Sequence, residues 1–322
     1  MFVTHKNVRL AYLLILGREA ENSLVIDDKR RRFHKLAELR QEFISSYEFR
    51  LRHRAALTPE YSEENAIEVA PVQTVKKYFD DLKDEWSRLG NMNPYWSVLS
   101  SDEYNGKLNG EKLQQFYSSG ESTVSHFLKV CEFNRISIPD EPKIIELGCG
   151  VGRITKSLAS ISNSILAVDV SPGNLDIARS INYGACEVNF LLLDSIDRLN
   201  EINGEFNIFF TVITLQHNPP SVQLAILKKI FSLFTISGSI LYFQTVTHIT
   251  ERGRQTLKSF SGEHMQFNTY SIPMNEVLKC INEANLEIFD LYRDDFQLDP
   301  DFHSYSFFVR HLTASLTDNE RN

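Results

Sequence analysis

No apolar stretch in this chain of 322 residues reaches the roughly 18 residues that a membrane span requires. The opening twenty, MFVTHKNVRLAYLLILGREA, hold one short apolar stretch and read as an amphipathic helix. They lack the basic n-region and small-residue cleavage site of a secretory signal. Cysteine is scarce: Cys131, Cys149, Cys186 and Cys280 stand far apart, with no CxxC pair. That spacing argues against a zinc module or a disulfide framework and places the chain in a reducing cytoplasm. No Asp/His cluster has ligand spacing, so no metal is expected. An overall basic excess is also missing, since the net charge is −8. The positive charge gathers in residues 29–54, where nine Lys/Arg against three Asp/Glu give +6, and the remainder carries −14. The Lys29–Arg32 cluster can meet nucleic acid or another anionic surface, or simply form a solvated, salt-bridged helix face. The acidic remainder speaks against a nucleic-acid substrate.

What is present divides along the chain. Residues 1–70 read as a helical accessory module, with apolar stripes at Leu10, Leu13, Leu14 and Leu16 and at Leu36, Leu39, Phe43 and Ile44. Ser46 is a plausible cap for a further short helix. Residues 71–138 read as a helical region carrying two aromatic clusters, NPYWSVLS and LQQFYSSGES. From 139 to 246 strand and helix patterns alternate, as a parallel α/β sheet requires. Residues 247–322 open irregularly. A helix near Met274–Ala284 and two strand-like runs, at 286–292 and 304–311, follow. No repeat at solenoid spacing interrupts this order.

The densest chemistry lies in KIIELGCGVGRITKSLA, Lys143–Ala159. A short apolar strand runs through Glu146 into Gly148-Cys149-Gly150-Val151-Gly152 and then a helix. Glycines there permit a tight turn and close approach of a ligand to the backbone. A dinucleotide fingerprint needs glycine where Arg153 stands, so the spacing disfavours NAD. A second strand, SILAVDV, ends in Asp169, 21 residues after Gly148. A carboxylate there can accept both ribose hydroxyls of a nucleoside. A third, VNFLLLD, ends in Asp194 with Ser195 behind it, and an acid there can accept an exocyclic amine. A fourth, FNIFFTVI, and a fifth, GSILYFQT, complete the parallel series. Each acid alone can be a helix cap. In this order, all at the carboxyl ends of strands, they mark a ligand crevice.

With these segments on the page, residues 139–246 resemble the class I S-adenosylmethionine-dependent methyltransferases: ELGCGVGR is similar to their first motif, AVDVSPGNLDIAR to their second and LLLDS to their adenine-binding segment. The resemblance implies a Rossmann-like seven-stranded sheet whose last two strands form an antiparallel hairpin. The methyltransferase domain then spans 139–322, with an acceptor-side insertion at 247–272. It also implies S-adenosyl-L-methionine as cofactor. Glu146, Gly148, Cys149, Gly150 and Gly152 would shape the wall around the methionine moiety, with Thr211 a further cofactor-binding residue. Asp169 would take the ribose, Val170 would lie beside the adenine, and Asp194 and Ser195 would meet its edge. Asn207 stands where the family usually has Asp, and Ile236-Ser237-Gly238 where it usually has Pro-Gly-Gly. Residues 1–50 resemble a small helical module attached to enzymes of surface-polysaccharide assembly. NPYWSVLS, FYSSGE, HMQF and FHSYSF resemble a bacterial subgroup found among glycan genes.

The stretch VITLQHNPP, 212–220, poses the acceptor question. Asn218-Pro219-Pro220 is similar to the Asn-Pro-Pro-aromatic signature of amino-group methylation. However, Thr211–Thr214 fill the slot at the end of strand four, and Ser221 replaces the aromatic ring. The plainer expectation is Asn218 as a helix N-cap with Pro219 at the first helical position, and Val222, Ile226 and Ile230 on one face. His217 suits proton removal from a hydroxyl, with local packing as the alternative. His264 is the second candidate base and His248 a competitor; His303 reads as structural. Trp96, Phe116 and Tyr117 can close as an aromatic lid over the donor, with Gly120 giving backbone access, or be ordinary packing. The expectation is a cytoplasmic O-methyltransferase acting on a hydroxyl of a sugar, glycan or glycan precursor. Residues 1–70 would meet a protein partner or a membrane-associated assembly. N-methylation of a small molecule or amino sugar, and a non-catalytic scaffold, are the alternatives.

Overall fold

The computed structural model describes residues 3–16, 18–44, 46, 48, 70–251, 269–296 and 301–311. The chain forms two compact units, Met1–Ser62 and Glu63–Asn322.

In the first unit, α1 (His5–Leu16), α2 (Ser23–Arg32) and α3 (Leu36–Ile44) share a small core. α1 buries Val8, Ala11, Tyr12 and Leu16, an i, i+3, i+4, i+8 stripe. The expected stripe is therefore corrected: Leu16 is inside, but Leu10, Leu13 and Leu14 are exposed, Leu14 at 79%. The competing face wins because Tyr12 meets Phe43 edge-on at 4.7 Å, an aromatic pair that the leucine face does not offer. Leu39 and Phe43 bury as expected. α2 starts at Asn22, whose side chain accepts the Val25 N–H. In the basic cluster, Lys29 pairs with Glu42 and Arg32 with Asp28. The Ser46 hydroxyl donates to the Phe43 carbonyl at the end of α3, and Glu48, two residues on, is helical.

The second unit begins with α4 (Val72–Met92), α5 (Pro94–Val98) and α6 (Gly110–Phe133). A seven-stranded sheet follows: β1 (Lys143–Leu147), β2 (Ser164–Asp169), β3 (Glu187–Leu192), β4 (Ile208–Thr211), β5 (Ile240–Ile249), β6 (Leu286–Arg293) and β7 (Phe302–His311). Connecting helices are α7 (Thr155–Leu158), α8 (Pro172–Arg179), α9 (Pro220–Leu233) and α10 (Met274–Glu283). The strand order is β3-β2-β1-β4-β5-β7-β6. Every neighbouring pair is parallel except β5–β7 and β6–β7, so β7 alone runs against the rest. This is the expected α/β Rossmann-like sheet with an antiparallel final strand.

Burial on both faces explains the continuous apolar runs in β1, β4 and β5. The hairpin is keyed to the sheet by aromatic pairs: Phe243 stacks on Phe307 at 4.7 Å, and Tyr242 on Phe308 at 4.4 Å. Asn207 uses both ends of its amide, accepting the Lys143 N–H and donating to the Glu141 carbonyl. An aspartate could not make the second bond. No described helix is long and apolar enough to cross a membrane. Because β1 pairs with β2 on one side and β4 on the other, the order reverses there. A crevice outside the carboxyl ends of these strands is where such sheets hold ligands.

Candidate active site

The crevice is built on the turn after β1. Gly148, Gly150 and Gly152 all adopt left-handed φ, at 78°, 55° and 82°. The turn is bolted to β2: the Gly148 and Cys149 N–H groups donate to the Val168 carbonyl. The buried Asp169 carboxylate accepts the Gly150 N–H with one oxygen and the Ser171 N–H with the other, each at 2.8 Å. Burial raises its pKa against these bonds. Ser171 in turn caps α8 through the Asn174 N–H.

Glu146 is fully buried beneath the turn. Burial pushes its carboxyl up to about 7, against the pull of the Arg153 guanidinium. Burial lowers Arg153 itself to about 10, and its Nη1 donates to the Ser119 hydroxyl at 3.2 Å. Glu146 Oε2, Arg153 Nε and Asn174 Oδ1 are buried without a hydrogen-bond partner among the described residues. Such atoms are rare in a finished core.

A prediction follows from Glu146. Its folded value is raised, so its contribution to stability is present below the unfolded value near 4.5 and lost as pH rises through about 7. Glu146→Gln is free of that loss. The variant gains on the wild type between pH 5 and pH 8, by about 1–3 kcal/mol at the upper end. Thermal melts across this range measure the gap, and a gap that does not change with pH rejects the account.

These groups line a cavity of about 770 Å³, within the usual range for small-molecule sites. Glu146, Gly148, Cys149, Gly150, Arg153, Asp169, Val170, Asn174 and Leu193 form one part of its wall. Val212–Thr214 and Gln216–Asn218, after β4, form another. A face of α4 at helical spacing, Phe79, Leu82, Lys83 and Trp86, also lines it, with Val98–Ser101, Glu103 and Tyr104. The His217 ring meets Trp86 edge-on, with centroids 5.1 Å apart.

Other expected residues are placed elsewhere. Gly152 lies outside the cavity lining, where a Cβ would come within 2.5 Å of the Tyr183 hydroxyl. Thr211 is buried with its hydroxyl on the Leu147 carbonyl. Asp194 is half exposed and 3.6 Å from Arg198, and Ser195 accepts the Asp197 N–H as a cap. Leu193 reaches the cavity in their stead. The lid is corrected as well. Trp96 and Tyr117 do not line the cavity; Tyr117 donates to the Val151 carbonyl from a cluster of Phe116, Tyr104 and Val151. At Gly120, a Cβ would come within 3.1 Å of the Arg153 carbonyl carbon, so this glycine lets α6 press on the turn's outer side. The aromatic rings on the described cavity wall include Phe79, Tyr104, Phe296 and, beside His217, Trp86. The signal for Trp86 was available in sequence as the i, i+3, i+4, i+7 pattern from Phe79.

Asn218 is not the N-cap of α9. That position belongs to Pro219, with Pro220 first in the helix. The Asn218 amide instead donates to the Thr214 and Leu215 carbonyls, closing the loop before the helix. Val222, Ile226 and Ile230 are buried as expected. His248 and His303 face each other at 5.0 Å on β5 and β7, away from the cavity lining. His264 and HMQF lie outside the described residues, as does most of 247–272. Thr269, where the description resumes, is on the cavity wall. No group of His, Cys, Asp or Glu able to hold a metal occurs among the described residues.

Residues 144–238 match the family model for the methyltransferase domain. None of the curated proteins compared with the chain matches it. Among solved structures, the chain is similar to magnesium protoporphyrin IX methyltransferase from Synechocystis PCC 6803 with bound SAH. Identity is 18%, the TM-score 0.52, and coverage 72% of this chain and 100% of that one. It is also similar to a SAM-dependent methyltransferase from Methanosarcina mazei, at 15% identity and a TM-score of 0.45, over 54% of this chain and 94% of that one. The first likeness concerns the fold. The cavity fits the cofactor on its own terms: a buried acid and a buried guanidinium, each with an unused polar atom, suit a zwitterionic amino-acid group, and a side chain at Gly148 would collide with the cavity wall. Residues 144–238 are a methyltransferase domain, and the crevice beside the glycine turn fits S-adenosylmethionine.

Proposed function

We propose that the protein O-methylates a hydroxyl of a sugar, glycan or glycan precursor in the cytoplasm, with His217 as the general base. The observation that carries this reading is His217 on the wall of the same cavity as the glycine turn, held against Trp86. S-adenosylmethionine supplies an electrophilic methyl group on a sulfonium. The chain's own task is to hold donor and acceptor in line and to take the acceptor's proton. In this reading Glu146 and Arg153 hold the ammonium and carboxylate of the donor. Asp169 uses its remaining lone pairs for the ribose, Val170 and Leu193 flank the base, and Asp194 with Ser195 stand at its outer edge. The hydroxyl oxygen gains the methyl group as its proton passes to the His217 imidazole. Trp86 offers a flat apolar face to a sugar ring.

The oxygen assignment rests on His217. The carbohydrate assignment rests on the sequence likeness of residues 1–50 and of the NPYWSVLS and FYSSGE segments. Four free cysteines support a reducing compartment. The leucines exposed on the first unit support a docking role for residues 1–70. The amine reading is weakened by Asn218, whose amide is spent on the carbonyls of its own loop. The test is transfer from methyl-labelled donor to panels of glycans, nucleotide sugars and amines. Label in a hydrolysis-resistant ether on carbohydrate is the expected result; label confined to amines overturns the reading.

A further inference from the structure

Strand β5 runs Ile240-Leu241-Tyr242-Phe243 and then turns polar at Gln244 and Thr245, both fully buried. Polar side chains in the middle of a core strand cost stability unless their hydrogen bonds are met. Here they are met by the loop after β4. Gln244 Oε1 accepts the Ile213 N–H at 2.7 Å. Its Nε2 donates to Gln216 Oε1 at 2.8 Å and to the Ser304 hydroxyl of β7 at 2.5 Å. Gln216, also fully buried, receives the Tyr270 N–H on its backbone carbonyl. Thr245, pointing to the other face of the sheet, donates to Gln223, whose amide donates to the Asn218 carbonyl at the far end of the same loop.

The loop needs such holding. Ile213 has φ 55°, a conformation that a β-branched residue adopts only when its surroundings impose it. Ile213 and Thr214 line the cavity, and Thr214 packs on Gly148. His217 follows Gln216 directly. The amide of Gln244 therefore lies behind both parts of the wall without touching the cavity itself.

We propose that Gln244 is a positioning residue: through Ile213 and Gln216 it sets the conformation of residues 212–218, and with it the affinity of the cavity for the donor. The proposal rests on the reading that this cavity takes the donor.

The test uses the full chain and S-adenosylhomocysteine as probe, with calorimetry and amide hydrogen exchange, so no acceptor is needed. Gln244→Met is expected to weaken the probe's Kd about tenfold and to expose the Ile213 amide to exchange, with amides of β1 unchanged. Gln216→Met, which cuts the same link from the loop side, has a similar effect. The double variant is no more than about twofold worse than either single, because coupled partners are not additive. Ser304→Ala removes the one bond of Gln244 that does not reach the loop and leaves the Kd within about twofold. A Gln244→Met protein with unchanged Kd and a protected Ile213 amide overturns the proposal. So does a double variant near a hundredfold, the product of the singles. If Gln244→Met does not fold, Gln216→Met and Ser304→Ala still decide: equal effects from the two overturn the proposal. A wild-type chain that does not bind the probe would instead remove the donor reading of the cavity, a separate failure.

Discussion

Gly148→Ala is expected to abolish donor binding while leaving a folded, weakened protein. Two costs fall on one methyl group. At φ 78° an alanine occupies a region that L side chains avoid, about 1–3 kcal/mol. The added Cβ also overlaps the Thr214 hydroxyl and would stand 2.5 Å from its Cγ2 and 2.8 Å from its Cβ. The Cβ does not swing away as a side-chain tip does, so either the turn or the loop after β4 must move, for another 1–3 kcal/mol or so. Either movement changes the cavity wall. Calorimetry with S-adenosylhomocysteine should show affinity at least a hundredfold weaker than wild type. Gly238→Ala separates the two costs: it has a similar φ of 84°, but open space around the new methyl. It should lower Tm by a few degrees, leaving the Kd unchanged. Binding by Gly148→Ala within threefold of wild type would mean that this turn does not form the donor's wall.

Features written in consecutive residues were legible. The glycine turn, the acid ending β2 and the strand–helix alternation all follow from local pattern, and the sheet matches them; Asp194 falls two residues past the end of β3. Choices between equally apolar faces were not legible. In α1, Leu10, Leu13 and Leu14 make as good a stripe as Val8, Tyr12 and Leu16. The decision lies with Phe43, 31 residues further on. Likewise WSRLG and WSVLS look alike as sources of a pocket tryptophan. Trp86 wins because α4 lays the face of Phe79 and Lys83 along the cavity, whereas the 94–98 turn sets Val98 against Gly150, whose Cβ would come within 2.5 Å of it. β5 read as ending near Thr245 and continues to Ile249, because Ile249 is paired by Phe302 of β7, a partner that period-two patterning cannot see. Asn218 followed a strong capping pattern, but the second proline takes the first helical position, so the asparagine falls one residue too early to cap.

His217→Ala should lower kcat by about a hundredfold or more, with the Kd for S-adenosylhomocysteine within threefold. The magnitude is that of a positioned general base acting on a hydroxyl. Donor affinity should survive because Glu146, Arg153 and Asp169 come from β1, β2 and the turn between them, and the variant keeps the Gln244 bonds to Ile213 and Gln216 that hold residues 212–218. The pH profile carries the chemistry. A histidine base works deprotonated, so wild-type kcat/KM rises with pH as imidazole loses its proton and then levels off. His217→Ala should lack that limb, and added imidazole should restore part of the rate if it can enter the space left beside Trp86. Packing alone predicts otherwise: Trp86 would lose its edge-on neighbour, stability would fall, and the surviving rate would keep the wild-type pH dependence. An amine acceptor predicts a third pattern, because its own pKa then shapes the profile and the limb persists in the variant. One pH series on the variant, with the acceptor that takes the label, therefore separates proton removal from packing and oxygen from nitrogen.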